Sequence, residues 1–108
     1  MVLIIGGAYQ GKTKYAMEKY GGKTIVNQFH NIVKEWIKDG KNPIEETKAF
    51  ITGNPDSVVI IDEIGSGIIP MEKSERIFRE TVGRVGCMLA KNAKTVERIT
   101  LGIAVKIK

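Results

Sequence analysis

An apolar segment near the start of the chain runs directly into a glycine-rich turn. Residues 2–5 read Val-Leu-Ile-Ile, and residues 6–13 then follow the pattern G-x-x-x-x-G-K-T. Glycine at the two fixed positions permits backbone angles that a Cβ atom would forbid. The pattern predicts a strand, a tight turn and a helix in that order. In an α/β fold such a turn lies at the carboxyl end of its strand, where ligands bind.

The same pattern predicts a site for phosphate groups. The N–H groups of the turn would form an anion nest, and the following helix would direct the positive end of its dipole to the same place. Lys12 would reach the β- and γ-phosphates, and the Thr13 hydroxyl would hold Mg²⁺. We expect ATP or GTP as the ligand. The predicted nucleotide-binding residues are Gly6, Gly7, Ala8, Tyr9, Gln10, Gly11, Lys12 and Thr13.

A second candidate for chemistry follows a buried strand. Residues 57–61 form a nearly continuous β-branched run, which is typical of a strand covered on both faces, and Asp62 and Glu63 come next. A carboxylate there can bind Mg²⁺ through its water shell, and another can activate or position an attacking group. We assign Asp62 to the metal and Glu63 to the attacking group. The alternative is that both are solvated residues that end a strand.

Strands and helices alternate along the chain. The hydrophobic pattern predicts strands at 2–5, 23–26, 57–61 and 95–105, and helices at 12–20, 28–39, 42–52 and 72–91. This order indicates a three-layer α/β fold, with a mostly parallel sheet of about four strands flanked by helices. We expect residues 1–108 to form one nucleotide-binding domain.

A helix cap, a histidine and a pair of glycines in the predicted helices bear on the site or the fold. Asn42 is the predicted N-cap of the third helix, with Glu45 completing an arrangement that resembles a capping box. His30, at the edge of the apolar face of the second helix, is predicted to be a partly exposed polar residue. Gly83 and Gly86 interrupt the fourth helix, which suggests close approach to another backbone or to a ligand.

Arginines on the fourth helix are a further candidate. Arg76 and Arg79 lie one turn apart and could face the phosphates together. We name Arg79 as a catalytic candidate with Lys12 and Glu63, because an arginine can stabilise transition-state charge. The alternative is that these arginines, with Arg84, form surface ion pairs with nearby glutamates.

Composition limits the partners. The net charge is +5 and the isoelectric point is near 9.4, but the lysines are scattered and only 6% of residues are aromatic. A nucleotide pocket with solvated lysines explains this better than a nucleic-acid surface. No apolar run is long enough to span a bilayer. The single Cys87 excludes an internal disulfide. We expect a cytoplasmic protein without membrane partners.

Several segments together resemble one enzyme family. The turn at residues 6–13 is similar to the G-G-A-R-S-G-K-S loop of the adenosylcobinamide kinase/adenosylcobinamide-phosphate guanylyltransferase family. Residues 63–70 resemble its N-E-V-G-x-G-I-V-P segment, residues 78–85 its F-R-D-x-x-G-R-V helix, and residues 102–108 its G-x-x-x-K-x-K terminus. The resemblance implies a RecA-like P-loop fold, nucleoside triphosphate and Mg²⁺ binding, a corrinoid acceptor and a homo-oligomer. It places this chain in cobalamin biosynthesis.

The chain also departs from the family pattern. It is much shorter, and the family's separate acidic strand is missing, so we suggest that Asp62 replaces the lost metal-binding carboxylate. The family's guanylylated histidine precedes a K-D-G-R-P segment. Here Trp36 and Ile37 precede the matching residues 38–43. The nucleophile for guanylyl transfer is therefore missing or displaced, and phosphoryl transfer is the expected reaction.

Two further functions are consistent with the residues. One is a RecA-like hydrolase or nucleotide switch without a corrinoid substrate, because Asp62-Glu63 directly after a strand is also the pattern of such ATPases. The other is a non-catalytic scaffold that keeps only the fold. Phosphate release without an alcohol acceptor would favour the first, and failure to bind any nucleotide would favour the second.

Overall fold

The chain forms a five-stranded sheet with helices packed against both of its faces. A computed structural model describes residues 1–64 and 72–108. The strands are β1 (Val2–Gly6), β2 (Ile25–Val26), β3 (Val58–Asp62), β4 (Thr95–Thr100) and β5 (Ile103–Lys106). The helices are α1 (Lys12–Tyr20), α2 (Phe29–Lys38), α3 (Pro43–Gly53) and α4 (Lys73–Asn92). None of the described helices is long and apolar enough to cross a bilayer.

The strand order is β2-β3-β1-β4-β5, and every pairing except β4 with β5 is parallel. This confirms the predicted α/β class and the mostly parallel sheet. Because β1 lies between β3 and β4, the glycine-rich turn opens beside the carboxyl end of β3. In the register of β1 and β3, Gly6 is opposite Asp62.

The strand count corrects the prediction of about four. The segment predicted as one strand at 95–105 is a hairpin, because the chain reverses at Leu101 and Gly102, whose φ angles are 52° and 76°. Positive φ at both central residues is typical of a two-residue hairpin turn, which favours Asn-Gly or Gly-Gly. Leucine at the first position hid the turn from the sequence pattern.

Successive side chains of β3 point to opposite faces of the sheet and therefore belong to two separate core clusters. On one face α1 packs against a small cluster of buried residues, which consists of Ile4, Ala16, Val58, Ile60 and Ile99. On the other face α2 and α4 pack against a larger cluster. Its members are Met1, Leu3, Phe29, Val33, Val59, Ile61, Val82, Val85, Leu89, Ala93 and Val96. Covering β3 on both faces explains its unbroken apolar sequence.

The N-cap of α3 and the two glycines within α4 can be compared with the predictions made from the sequence. Asn42 is the N-cap of α3, and its side chain accepts hydrogen bonds from the N–H groups of Ile44 and Glu45. The predicted capping-box bond is wrong, since the Glu45 carboxylate contacts Lys48. No described atom lies within 4 Å of where a Cβ would be at Gly83 or Gly86. Close packing against a described backbone therefore does not explain these two glycines.

Candidate functional site

The turn between β1 and α1 depends on glycine at both predicted positions. Gly6 has a φ of 154°, and a Cβ at this residue would lie 2.5 Å from the carbonyl oxygen of Ile99. Gly11 is the N-cap of α1, in a left-handed conformation with a φ of 89°. Both requirements are those of a phosphate-binding turn, in which the backbone itself approaches the ligand.

A cavity of about 300 Å³ lies over the turn, and we call it the phosphate cavity. The first turn of α1 has no acidic residue, and its N-cap makes no side-chain hydrogen bond. The helix start therefore offers unpaired N–H groups and a partial positive charge to an anion. The cavity is lined by Ala8, Tyr9, Gln10, Gly11, Lys12, Thr13, Lys14, Asn27, Gln28 and Asp62. Apart from Gly6 and Gly7, these include all the predicted nucleotide-binding residues.

Gln10 ties the turn to the β4–β5 hairpin. Its side-chain oxygen accepts a hydrogen bond from the N–H of Leu101 at 2.7 Å. Its backbone carbonyl accepts one from the N–H of Gly102 at 2.9 Å. These bonds hold the left-handed hairpin turn against the phosphate cavity. The sequence offered no signal for them, because 91 residues separate Gln10 from Leu101.

Lys12 is almost fully buried, with 6% of its surface exposed. Its Nζ donates to the carbonyl oxygen of Gly7 at 2.5 Å and lies 2.8 Å from Oδ1 of Asp62. A buried ammonium requires such partners, since desolvating an unpaired charge is costly. The lysine is thus held by the turn and by the carboxylate predicted to bind the metal.

His30 contacts the other side of Asp62. Its Nδ1 accepts a hydrogen bond from the Asp62 N–H at 3.2 Å, and its Nε2 lies 3.5 Å from Asp62 Oδ2. Burial lowers the pKa of His30, Lys12 lowers it further, and Asp62 opposes this by raising it. A neutral ring with its proton on Nε2 satisfies both contacts.

His30 is partly exposed, as predicted, but its contact with Asp62 was not predicted from the sequence. Its side chain is 11% exposed and lies against Asp62. A signal for this was present in the sequence. Helix α2 begins directly after β2, and the first turn of a helix that follows a parallel strand lies at the carboxyl edge of the sheet.

Thr13 and Asp62 provide oxygen atoms to the same cavity. The Thr13 hydroxyl donates to Oδ1 of Asn27 at 3.3 Å, a contact that the sequence did not suggest. In the described part of the chain, no three His, Cys, Asp or Glu side chains cluster to hold a metal ion. A hydroxyl and one carboxylate fit Mg²⁺, which usually takes few protein ligands and completes its shell with phosphates and water.

Glu63 is directed away from the phosphate cavity. Its N–H donates to the Gly6 carbonyl at 2.8 Å, which continues the pairing of β3 with β1. Its Oε1 accepts from Nε and Nη2 of Arg98 at 3.0 and 2.7 Å. Asp62 and Glu63 are thus both paired with a cation, although the pair of Glu63 with Arg98 is exposed to solvent. Arg98 was not predicted to take part.

A second cavity, which we call the β3–α4 cleft, begins at these carboxylates. It measures about 330 Å³ and is lined by Ile61, Asp62, Glu63, Ile64, Val82 and Gly83. Asp62 also lines the phosphate cavity. The two cavities therefore meet at one side chain.

The arginine candidates are not among the described residues that line the phosphate cavity. Arg79 lies in α4, half-buried, and is not among the residues that line the cavity. Arg84 forms the predicted alternative, a surface ion pair, with Glu80 at 2.7 Å. Residues 65–71, which contain most of the segment that resembles the family's N-E-V-G-x-G-I-V-P sequence, lie outside the described residues.

Comparison with known proteins agrees with the family resemblance that the sequence motifs indicated. The sequence model of the family described as cobinamide kinase / cobinamide phosphate guanyltransferase matches residues 23–107. The bifunctional adenosylcobalamin biosynthesis protein CobU of Escherichia coli (strain K12) is 43% identical over 51 residues. The protein of the same name from Salmonella typhimurium (strain LT2) has the same identity over the same length. These matches cover 47% of this chain and only 28% of either relative.

Proposed function

Because the chain belongs to the cobinamide kinase / cobinamide phosphate guanyltransferase family, we propose that it transfers the γ-phosphoryl group of a nucleoside triphosphate to an alcohol. The acceptor would be a corrinoid of the cobinamide type, and ATP or GTP would be the donor. The observation that supports this most is the buried Lys12, held at the phosphate cavity between Gly7 and Asp62.

In the proposed reaction, the nucleotide places its phosphates on the turn at residues 6–13. Lys12 leaves Asp62 for the β- and γ-phosphates, which frees one Asp62 oxygen, while His30 still contacts the other. Thr13 and Asp62 would then hold Mg²⁺. When bound, this ion neutralises phosphate charge.

The phosphoryl step forms one bond and breaks one. The acceptor oxygen attacks the γ-phosphorus, the bond from that phosphorus to the β–γ bridging oxygen breaks, and the electron pair stays on the nucleoside diphosphate. The Glu63 carboxylate orients the acceptor hydroxyl and takes its proton. Arg79 is the proposed source of further positive charge at the γ-phosphate.

We propose phosphoryl transfer without guanylyl transfer, since Trp36 and Ile37 stand where the family has its guanylylated histidine. Residues 1–108 would form one P-loop domain of the RecA-like, three-layer type. The helices on both faces of the sheet and the turn at the end of β1 support this.

The lysine provides the test. Lys12→Ala should weaken Mg·GTP and Mg·ATP binding about 30-fold or more, because it removes a buried charge from the phosphates. Lys14→Ala is the matched control. Lys14 lines the same cavity but is exposed, so the same loss of charge should weaken nucleotide binding at most about fivefold. Isothermal calorimetry measures both affinities, and an unchanged Lys12→Ala affinity would contradict the mechanism.

The acceptor is tested by product analysis. Phosphate transfer to cobinamide supports the kinase. Phosphate release that cobinamide leaves unchanged would point to the hydrolase or switch, and failure to bind any nucleotide would point to the scaffold.

We further propose that the protein is a homo-oligomer that associates through β5. This strand is at the sheet edge, and Ile103 and Val105 are 67% and 59% exposed. Exposed apolar edge strands favour pairing with another chain. Sedimentation velocity should show an oligomer for the wild type and a monomer for Ile103→Lys. A monomeric wild type at micromolar concentration would refute the proposal.

A further inference from the structure

We propose that the β3–α4 cleft receives the hydroxyl-bearing arm of the acceptor, and that glycine at position 83 keeps this cleft open. The inference rests on the proposed function and adds to it the place where the acceptor binds. It assigns a specificity-determining role to a residue that belongs neither to the nucleotide turn nor to the predicted metal ligands.

The first argument is the position of the cleft. Asp62 lines both this cleft and the phosphate cavity. A donor phosphate in one cavity and an acceptor in the other would meet at Asp62, as transfer without release of an intermediate requires. Glu63, the proposed proton acceptor, lines the cleft but not the phosphate cavity.

The second argument is the chemistry of the walls. Ile61, Ile64 and Val82 give the cleft an apolar lining, and Asp62 and Glu63 give it two carboxylates. Both carboxylates have cationic partners: Arg98 pairs with Glu63, and Asp62 pairs with Lys12 or, in the proposed nucleotide complex, with Mg²⁺. The cleft therefore does not need a cation from its ligand. An uncharged aliphatic arm that ends in a hydroxyl donor matches both its apolar walls and its paired carboxylates.

The third argument is the glycine itself. Gly83 lies inside α4, where glycine is less favourable than any residue except proline. Its φ is not positive, and apart from the neighbouring residues and backbone of its own helix, no described atom lies within 4 Å of where a Cβ would be. Neither the backbone conformation nor packing against described residues requires glycine. The cleft does, because a side chain at this position would project from a residue that lines it.

Gly86 supplies an internal comparison. It lies in the same helix, three residues along, and the place that a Cβ would take is equally free of described atoms. It does not line the cleft. A substitution at Gly86 therefore reproduces the change in helix propensity and side-chain size without narrowing the proposed acceptor site.

The experiment measures cobinamide binding by equilibrium dialysis, in the presence of Mg·GTP, for the wild type, Gly83→Leu and Gly86→Leu. We expect Gly83→Leu to weaken cobinamide binding at least tenfold and Gly86→Leu to change it less than threefold. Gly83→Ala should give an intermediate loss. Calorimetry with Mg·GTP alone should give the same nucleotide affinity for all four proteins, which also shows that each variant is folded.

Three results would overturn the inference. These are a wild type that does not bind cobinamide, a Gly83→Leu variant that binds it normally, and equal losses in the two leucine variants. The last two results overturn the inference alone, whereas a wild type that does not bind cobinamide also refutes the proposed acceptor. Failure of the proposed nucleotide chemistry appears separately, as the absence of nucleotide binding or of phosphoryl transfer by the wild type.

Discussion

Asp62 connects the residues of the candidate site. Its two carboxylate oxygens lie near different partners, Lys12 Nζ at 2.8 Å and His30 Nε2 at 3.5 Å, and its N–H donates to His30. Through these contacts one side chain positions the lysine of the phosphate turn and the histidine of α2. If Lys12 moved to a nucleotide, His30 would remain in contact with Asp62 among the described residues.

At the residue scale, Gly6 allows a sharp prediction. Gly6→Ala should lower the free energy of unfolding by about 2–4 kcal/mol, because its Cβ would lie 2.5 Å from a backbone oxygen at a φ of 154°. Gly7→Ala is the control. Its Cβ would lie 3.8 Å from Gln10 Cγ, an ordinary contact, so we expect a change within about 1 kcal/mol. Urea denaturation measures both, and equal effects would contradict the structure.

At the scale of the elements, the N-cap of α3 is testable by itself. Asn42→Ala should lower the free energy of unfolding by about 1 kcal/mol, because the N–H groups of Ile44 and Glu45 lose their acceptor. Asn42→Asp keeps that acceptor and should retain nearly the whole stability. The midpoint of urea unfolding distinguishes the two variants. Equal losses in both would show that the cap does not stabilise the helix.

An ion pair and a hydrogen bond to Glu97 join α1 to β4. Oε1 of the buried Glu97 accepts from Lys19 Nζ at 2.7 Å and from the Tyr20 hydroxyl at 3.1 Å, whereas Oε2 has no partner among the described residues. Burial raises the pKa of Glu97, but hydrogen bonds from Lys19, Tyr15 and Tyr20 outweigh it and bring the pKa below its usual 4.5. The folded state thus favours the ionised carboxylate.

The lowered pKa of Glu97 makes the free energy of unfolding depend on pH. A carboxyl whose pKa is lower in the folded state adds stability above its unfolded pKa, and that stability is lost as the pH falls through the folded pKa. Glu97→Gln should therefore lower the unfolding free energy by about 1–3 kcal/mol at pH 7, with the difference shrinking below pH 4.5.

Urea unfolding from pH 3 to pH 7 measures this difference. Glu18→Gln, an exposed residue of the same helix as Lys19, removes the same charge and should have little effect at any pH. A Glu97→Gln deficit that stays constant down to pH 3 would argue against the lowered pKa.

At the scale of the whole molecule, nucleotide binding should stabilise the fold. A ligand that binds only the folded state adds about 2.7 kcal/mol when present at 100 times its Kd. For a chain of 108 residues this corresponds to a rise in Tm of roughly 10 °C. A thermal-shift panel should show the rise with Mg·ATP or Mg·GTP.

Two controls make the panel specific. Guanosine without phosphates should leave Tm unchanged, because the phosphates provide the contacts to the turn. Lys12→Ala should reduce the rise to about a third or less at the same nucleotide concentration, as a loss of about 30-fold or more in affinity requires. A wild type whose Tm does not respond to any triphosphate would contradict the proposed site.

Much of the fold could be predicted because its signals are local. The turn at residues 6–13 needs glycine for its backbone angles, and β3 reads as apolar because both of its faces are covered. Asn42 begins a helix because its side chain reaches the next free N–H groups. The hairpin at Leu101 was missed because its turn is held from outside by Gln10, rather than by its own residue types.

The sequence by itself determined the α/β order, the glycine-rich turn between β1 and α1, and the two carboxylates at a strand end. These depend on backbone geometry and on the periodicity of neighbouring residues. Only the tertiary structure decided that β3 lies beside β1, that His30 and Lys12 share Asp62, and that Glu63 pairs with Arg98. These contacts join residues that are far apart in the chain, so strand order, rather than any local pattern, sets which of them meet.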